Sequence, residues 1–226
     1  MTNRTLDQLY HAIPLHYLPS LFAAGALYAQ SVLASPGSAP GVPRGIRPRS
    51  SATRRDRMLG LDHFVHLSPT AKSPLLADKL RRGYPHALLV FEAGPILGMP
   101  EVALLPYNTK AWRTRACFTP VTEAVERAAL LRRYTEASRL PSLEILVKYG
   151  LPLTHLNAVA FIDDGERETC ERAARGTAYG SLFATAPSLF PASAGYSPAG
   201  WETIAAYFDR CRLTDVNMSP PAIPFD

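Results

Sequence analysis

One carboxylate stands at the head of an otherwise apolar segment, and it is the residue of this chain best suited to chemistry. Glu144 opens the sequence EILVKY at residues 144–149, whose alternation suits a short β-strand. A carboxylate in such a position can stabilise positive charge that develops on a substrate. The alternative is an ordinary exposed glutamate at the end of a strand, and these residues alone leave both interpretations open.

A cluster of arginines forms a second candidate. Arg54, Arg55 and Arg57 follow a segment at residues 35–53 that is rich in Pro, Gly, Ser and Arg. The fork of donors on a guanidinium suits a phosphate group, whereas the alternative for each arginine is a solvated basic surface. Segment 35–53 has the composition of a mobile loop, and a loop of this length within a domain is more often functional or disordered than incidental.

Three histidines raise the questions of a binding site and of a metal site. His11 lies in a predicted first strand, where it could bind a ligand or be a hydrogen-bonded histidine of the core. His63 and His66 have the His-x-x-His spacing that some metal sites use. No Asp, Glu or Cys at ligand spacing completes such a site, so the sequence argues against a metal there.

The segments that must position these candidates have the patterns of strands and helices in mixed order. We predict strands at residues 87–91, 101–105, 144–149 and 158–162, and helices at residues 121–139, 164–175 and 197–210. Because strands and helices do not alternate regularly, an α+β domain fits better than a doubly wound sheet. The chain of 226 residues, 47% of them hydrophobic, is expected to form a single domain over residues 1–226.

Composition narrows the class of protein. The sequence shows no apolar run long enough to span a membrane and no signal-peptide pattern, so a cytoplasmic protein is expected. It has no Walker or Gly-x-Gly-x-x-Gly motif, which argues against an ATPase and a Rossmann dehydrogenase. The cysteines, Cys117, Cys170 and Cys211, are odd in number and widely spaced, which argues against a disulfide framework. The formal charge of +5 suits both NAD and nucleic acid as partners.

Ordered segments of the chain resemble the DarT family, toxins that ADP-ribosylate single-stranded DNA. The matching segments are Leu9-Tyr10-His11 with the apolar stretch after it, Arg54-Arg55-Asp56-Arg57, Leu61-Asp62-His63-Phe64-Val65 with Ser73-Pro74-Leu75-Leu76 downstream, and Glu144-Ile145-Leu146-Val147. Matches in this order, spread over most of the chain, are hard to assemble by accident.

The resemblance implies an ADP-ribosyltransferase that uses NAD as its co-substrate and no metal. It also implies an α+β fold with two facing, mostly antiparallel sheets and flanking helices. Glu144 would hold the ribose 2′-hydroxyl, and Arg55 would be the second catalytic residue, with Arg54 or Arg57 as the alternative arginine. The residues that the resemblance places around NAD are Tyr10, His11, Ile13, Arg54, Arg57, Ser73 and Leu75.

The chain also departs from the family pattern. In Leu61-Asp62-His63 the aspartate and histidine stand in the reverse of the family's order. The proline and aromatic residues that follow in the family are His66-Leu67-Ser68 here. Ile13 stands where threonine is common, and Leu75 stands where the family has methionine. On the acceptor side, the stretch before Glu144 is shorter than in the family and lacks its tryptophan-rich acidic helix.

These departures leave the acceptor open. The resemblance implies transfer to a nucleobase, with thymidine in single-stranded DNA as the first expectation and a macrodomain antitoxin as the expected partner. RNA, a free nucleoside or a small molecule are alternative acceptors for the same NAD chemistry. A non-catalytic nucleic-acid-binding relative is the alternative from another class, but the joint presence of Glu144 and Arg55 argues against it.

Overall fold

A computed structural model describes residues 6–34, 56–106, 119–137, 143–174 and 178–192. The predicted loop at residues 35–53, Arg54, Arg55 and the predicted helix at residues 197–210 lie outside the described residues. The single domain expected over residues 1–226 therefore stays a prediction.

Short strands and helices alternate irregularly along the described chain. The strands are β1 (Gln8–Pro14), β2 (Ala26–Tyr28), β3 (Phe64–Leu67), β4 (His86–Glu92), β5 (Val102–Leu105), β6 (Glu144–Lys148), β7 (Gly150–Pro152), β8 (Leu156–Phe161) and β9 (Phe183–Thr185). The helices are α1 (Leu18–Ala24), α2 (Gln30–Ala34), α3 (Pro74–Arg81), α4 (Ala93–Leu97), α5 (Ala124–Glu136) and α6 (Asp164–Ala173). The mixture confirms the predicted α+β class.

The larger sheet has the strand order β1-β4-β8-β9. Its first three strands are antiparallel, and β9 joins β8 in parallel. A second sheet has the order β3-β6-β5, also antiparallel, and a two-stranded ladder pairs β2 with β7. The expectation of mostly antiparallel sheets is confirmed, with the small β2–β7 ladder as an addition that the sequence did not predict.

Alternation along the central strand β4 divides its side chains between two cores. Ala87, Leu89 and Phe91 join a core that includes Val147 and other residues of the second sheet, so the two sheets face each other across it. Leu88 belongs to a second core on the opposite face of the larger sheet, to which α3 contributes. Because β4 is buried on both faces, its sequence is a continuous apolar run rather than an alternating one.

Helices α5 and α6 begin and end close to the predicted positions, and hydrogen bonds from specific side chains stabilise both helices. Asp163 precedes α6 and its Oδ1 accepts a hydrogen bond of 2.8 Å from the Glu166 amide, which satisfies one of the unpaired donors at the helix start. Helix α5 is shorter than predicted and is held against β5, because the buried Arg127 guanidinium donates to the carbonyls of Met99 and Val102. None of the helices described is both long and apolar enough to cross a bilayer.

Candidate active site

The site lies where the first strand of the larger sheet meets the second sheet. Tyr10 on β1 exchanges two backbone hydrogen bonds of 2.8 Å with Ser68, the residue just after β3. One residue along β1, the His11 ring bonds the main chain of β3 through Nδ1, 2.9 Å from the carbonyl oxygen of His66. Hydrogen bonds therefore join the two sheets at Tyr10 and His11, the two residues of β1 that the sequence resemblance assigned to the NAD site.

Glu144 lies at the other end of the same corner. It opens β6, where it pairs with Leu105 on one side, and its side chain is only 13% exposed. Its Oε2 is 3.1 Å from Nδ1 of His66. The β3–β6 register aligns His66 with Leu146, so Glu144 is two residues further along the partner strand on the same face of the sheet. The His66 ring thus holds the Glu144 carboxylate in place. A glutamate at the end of a strand in solvent would have no such contact.

The His66 ring has a partner at each nitrogen. Nε2 lies 3.0 Å from the carbonyl oxygen of Leu61, and Nδ1 faces the carboxylate of Glu144. A carbonyl oxygen can only accept, so Nε2 must carry a proton. An ionised carboxylate can also only accept, so with Glu144 ionised both nitrogens carry protons and the ring is an imidazolium.

The environment of His66 agrees with that charge. Burial disfavours the charged ring, but the hydrogen bond and the negative charge of Glu144 outweigh it, so the pKa of His66 is raised above its ordinary value. The Leu61 carbonyl and the charge of Asp56 act in the same direction. The raised pKa and the two acceptors that face the ring therefore favour an imidazolium–carboxylate pair at this position.

His11 has the opposite electrostatics. Burial lowers the pKa of His11, and the nearby His66 ring acts in the same direction, although the hydrogen bond to the His66 carbonyl opposes both. A neutral His11 that donates from Nδ1 presents Nε2 as a hydrogen-bond acceptor. The surroundings of His66 thus favour its charged form, which holds a carboxylate, and those of His11 favour its neutral form, which offers an acceptor.

The remaining predicted NAD contacts occupy varied surroundings. The Tyr10 hydroxyl donates to Gln8 Oε1 over 2.8 Å, and its ring packs on the core beside α3. Ile13 is 6% exposed and belongs to the core between the sheets. Ser73 caps α3, because its Oγ accepts a hydrogen bond of 3.1 Å from the Leu76 amide, and Leu75 is exposed beside it.

Of the three arginines that the sequence resemblance assigned to the site, Arg57 is the one within the described residues. Its Nε lies 3.8 Å from Asp62 Oδ2, and its side chain is largely exposed. Arg54 and Arg55 lie outside the described residues, so the choice of catalytic arginine stays a prediction.

His63 and His66 turn to different partners. Nδ1 of His63 lies 2.9 Å from Ser31 Oγ, whereas the His66 ring lies between Leu61 and Glu144. Among the residues the structure describes, no group of three or more His, Cys, Asp or Glu side chains could hold a metal ion. The His-x-x-His spacing places two rings on a short turn and the following strand, where each serves a separate contact.

From sequence, His66 stood out only as a potential metal ligand and as a departure from the family pattern. Its contact with Glu144 depends on the register between β3 and β6, which are far apart in the chain. The available signal was a polar residue one position before the end of the short strand β3. That signal does not indicate which strand pairs with β3.

Neither a protein-family model nor a curated protein sequence matches this chain. Solved structures do match it. The DarT of Thermus sp. 2.9 in complex with ADP-ribosylated single-stranded DNA has a TM-score of 0.60 and 16% identity, covering 84% of this chain and 99% of that chain. The same protein in complex with NAD+ has a TM-score of 0.57 and 17% identity, covering 84% and 100%.

A third solved structure is from another organism. The DarTG of Thermosipho africanus in complex with ADP-ribose has a TM-score of 0.57 and 12% identity, and the match covers 81% of this chain and 50% of that one. The identities are low, but the matches run through nearly all of the Thermus protein. The order of strands and helices described above is thus the DarT-like ADP-ribosyltransferase fold.

Proposed function

We propose that this chain is an NAD-dependent ADP-ribosyltransferase that transfers ADP-ribose to a nucleobase, with thymidine in single-stranded DNA as the acceptor. The observation that carries the proposal is the convergence of Glu144 and His11 on one strand residue, His66, within a DarT-like fold. The resemblance in sequence assigned the carboxylate and the histidine to the donor site independently of that contact.

The reaction requires a fixed negative charge beside the ribose. When the bond between nicotinamide and ribose breaks, nicotinamide leaves with the bonding electrons and positive charge develops on the ribose. Glu144 is suited to stabilise that charge, because its carboxylate is mostly shielded from solvent and held through Oε2. Its second oxygen, Oε1, has no hydrogen bond among the described residues and could accept from the ribose 2′-hydroxyl.

The other donor contacts follow from the chemistry of each side chain. The Nε2 of a neutral His11 would accept a hydrogen bond from a ribose hydroxyl or from the nicotinamide amide. The guanidinium of Arg55, or that of Arg54 or Arg57, would bind the pyrophosphate. Positioning is the main task of these groups, because nicotinamide is already a good leaving group.

The choice of DNA as acceptor is supported by the solved complex of Thermus sp. 2.9 DarT with ADP-ribosylated single-stranded DNA. The nucleobase would supply an electron pair to the ribose carbon and lose a proton. The shorter stretch before Glu144 supports a second candidate, in which the same donor chemistry acts on RNA, a free nucleoside or a small molecule. The net charge of +5 suits either nucleic acid.

Two wider expectations depend on this proposal. If the chain is a toxin, it should have an antitoxin that removes the modification, and the DarTG match supports a macrodomain protein in that role. A cytoplasmic location also stays a prediction. Both would follow from DNA being the acceptor in the cell.

The proposal is tested by removing the charge of Glu144 without changing its size. Purified protein is incubated with labelled NAD and, separately, a thymidine-rich oligonucleotide, total RNA, free nucleosides or no acceptor. We expect labelled DNA and nicotinamide release from the unmodified protein. Glu144→Gln should lower both by about a hundredfold to a thousandfold, because an electrostatic contact made in the transition state is lost.

Glu101→Gln is the matched control, since Glu101 is an exposed glutamate just before β5. It should leave label transfer within about twofold of the unmodified protein, as exposed substitutions away from a site usually have small effects. Nicotinamide release with unlabelled DNA would move the acceptor to another class. No release with any acceptor would leave the nucleic-acid-binding alternative.

A further inference from the structure

His66 has no role in the donor chemistry described so far, yet it is the residue on which Glu144 rests. Its ring spans the gap between the Leu61 carbonyl and the Glu144 carboxylate, with contacts of 3.0 and 3.1 Å. The side chain is 28% exposed, so most of it is enclosed by these neighbours. The main chain of the same residue accepts from His11. One strand position thus touches both predicted donor-site side chains.

We propose that His66 is a positioning residue, which in its doubly protonated form fixes the Glu144 carboxylate for the donor reaction and thereby makes nicotinamide release fall as the ring loses its proton. This rests on the proposed NAD chemistry. The bond to Leu61 anchors the ring, and the Nδ1 proton then directs Oε2 of Glu144. Oε1 is left for the ribose.

Loss of one proton breaks this arrangement whichever nitrogen gives it up. If Nδ1 loses the proton, its lone pair faces a carboxylate oxygen, and two acceptors repel each other. If Nε2 loses the proton, the Leu61 carbonyl loses its donor and the ring loses its anchor. Either form frees Glu144 to rotate, and misplacement of a catalytic group by about 1 Å can cost about a hundredfold in rate.

The opposite effect would come from charge alone. An imidazolium beside Glu144 partly cancels the negative field that the ribose would experience, so loss of its proton would strengthen that field. We expect positioning to dominate, because the ring contacts Oε2 and leaves Oε1 to act. The sign of the pH dependence separates the two effects: positioning predicts a rate that falls at alkaline pH, and charge cancellation predicts a rate that rises.

The titratable and charged groups around the ring are few among the described residues. Glu144 on β6 bonds it directly, and Asp56, at the start of its described segment, acts on it through charge. His11 on β1 is electrostatically coupled to it and is kept neutral by burial. The ion pair of Arg57 with Asp62 lies beside the Leu61 anchor in sequence. Both carboxylates that act on His66 favour its charged form, so its pKa lies above the ordinary value.

The first part of the test needs no NAD. The ring of His66 is titrated by NMR in the unmodified protein and in Glu144→Gln, with His66→Gln identifying its signal. We expect the midpoint to fall by about one pH unit or more without the carboxylate, because the charged partner is removed. His155, a partly exposed histidine outside this pair, is the control and should not move. An unchanged His66 midpoint would overturn the pairing.

The second part measures nicotinamide release across the titration of His66. In the unmodified protein kcat should fall by about tenfold as the ring loses its proton, with the KM for NAD within about twofold. His66→Gln keeps a side-chain donor that does not titrate, so its kcat should be flat over that range; His155→Gln should behave like the unmodified protein. A rate that rises, or a fall that survives in His66→Gln, would overturn the positioning role.

The two parts of the test distinguish a failure of the proposed function from a failure of the His66–Glu144 pairing. If Glu144→Gln shifts the His66 midpoint but the unmodified protein releases no nicotinamide at any pH, the proposed function fails while the pairing is upheld. If release is normal and the midpoint does not shift, the function stands and the pairing fails. Circular dichroism of each variant distinguishes a lost fold from a lost contact.

Discussion

At the scale of single residues, the site is built from His11 on β1 and His66 on β3, whose side chains are shifted in pKa in opposite directions. His66 uses its ring to hold Glu144 and its carbonyl to hold His11. The same carbonyl bond fixes the His11 tautomer, since Nδ1 must donate to it. The chemistry available at His11 is therefore decided by the backbone of a residue in another sheet.

The fixed tautomer of His11 predicts what happens when its acceptor nitrogen is removed and its donor is kept. His11→Asn retains an amide N–H that can reach the His66 carbonyl but has no counterpart of Nε2. We expect NAD to bind about tenfold more weakly, in keeping with the loss of one hydrogen bond to a ligand. Isothermal titration calorimetry measures the change, and His155→Asn is the control that should leave NAD affinity unchanged. Unchanged affinity in His11→Asn would remove His11 from the NAD contacts.

At the scale of elements, the strands were more predictable than the contacts between them. The apolar run at residues 87–91 predicted β4 because a strand buried on both faces has no polar positions. The start of α6 was predictable because Asp163 is a local cap. The β3–β6 register was not, because it depends on which of several short strands become neighbours, and only that register brings His66 to Glu144. The sequence accordingly predicted Glu144 and missed its partner.

Ser73 caps a helix and is also one of the residues predicted to contact NAD. Its Oγ accepts from the Leu76 amide at the start of α3, and its hydroxyl proton is still available to a ligand. Ser73→Ala should lower the free energy of unfolding by about 1 kcal/mol, the usual effect of losing a helix cap, and should also weaken NAD binding if the predicted contact exists.

Asp163→Ala is the matched control for Ser73→Ala, because Asp163 caps α6 in the same way and was not assigned to NAD. Urea unfolding should show a similar loss of about 1 kcal/mol in both variants. Calorimetry should show weaker NAD binding in Ser73→Ala alone. Equal NAD affinity in the two variants would reduce Ser73 to a helix cap.

At the scale of the whole molecule, buried histidines couple the stability of the fold to pH. Burial lowers the pKa values of His11, His16 and His86, whereas the pKa of His66 is raised. A histidine with a lowered pKa stabilises the fold above pH 6.5 and loses that contribution as the pH falls. His66 acts in the opposite direction: its contribution is complete below pH 6.5 and is lost as the pH rises through its raised pKa. The fold and the proposed active site should therefore respond to pH with opposite signs.

His86 is the strongest of these cases, and it gives a prediction for stability that is separate from the chemistry at Glu144. Its ring is buried on β4, its Nδ1 bonds the Tyr84 carbonyl over 2.9 Å, and burial lowers its pKa to about 4. The difference from the ordinary value of 6.5 corresponds to about 3 kcal/mol of unfolding free energy that is present at pH 7 and lost as the pH falls towards 4.

Urea unfolding at pH 7 and at pH 4.5 measures this loss directly. His86→Asn keeps a donor for the Tyr84 carbonyl and cannot take up a proton, so its unfolding free energy should fall by about 2 kcal/mol less than that of the unmodified protein over this interval. His155→Asn should show the same acid loss as the unmodified protein. If His86→Asn shows that loss too, other groups dominate the acid response, and the buried ring of His86 is already charged before the fold weakens.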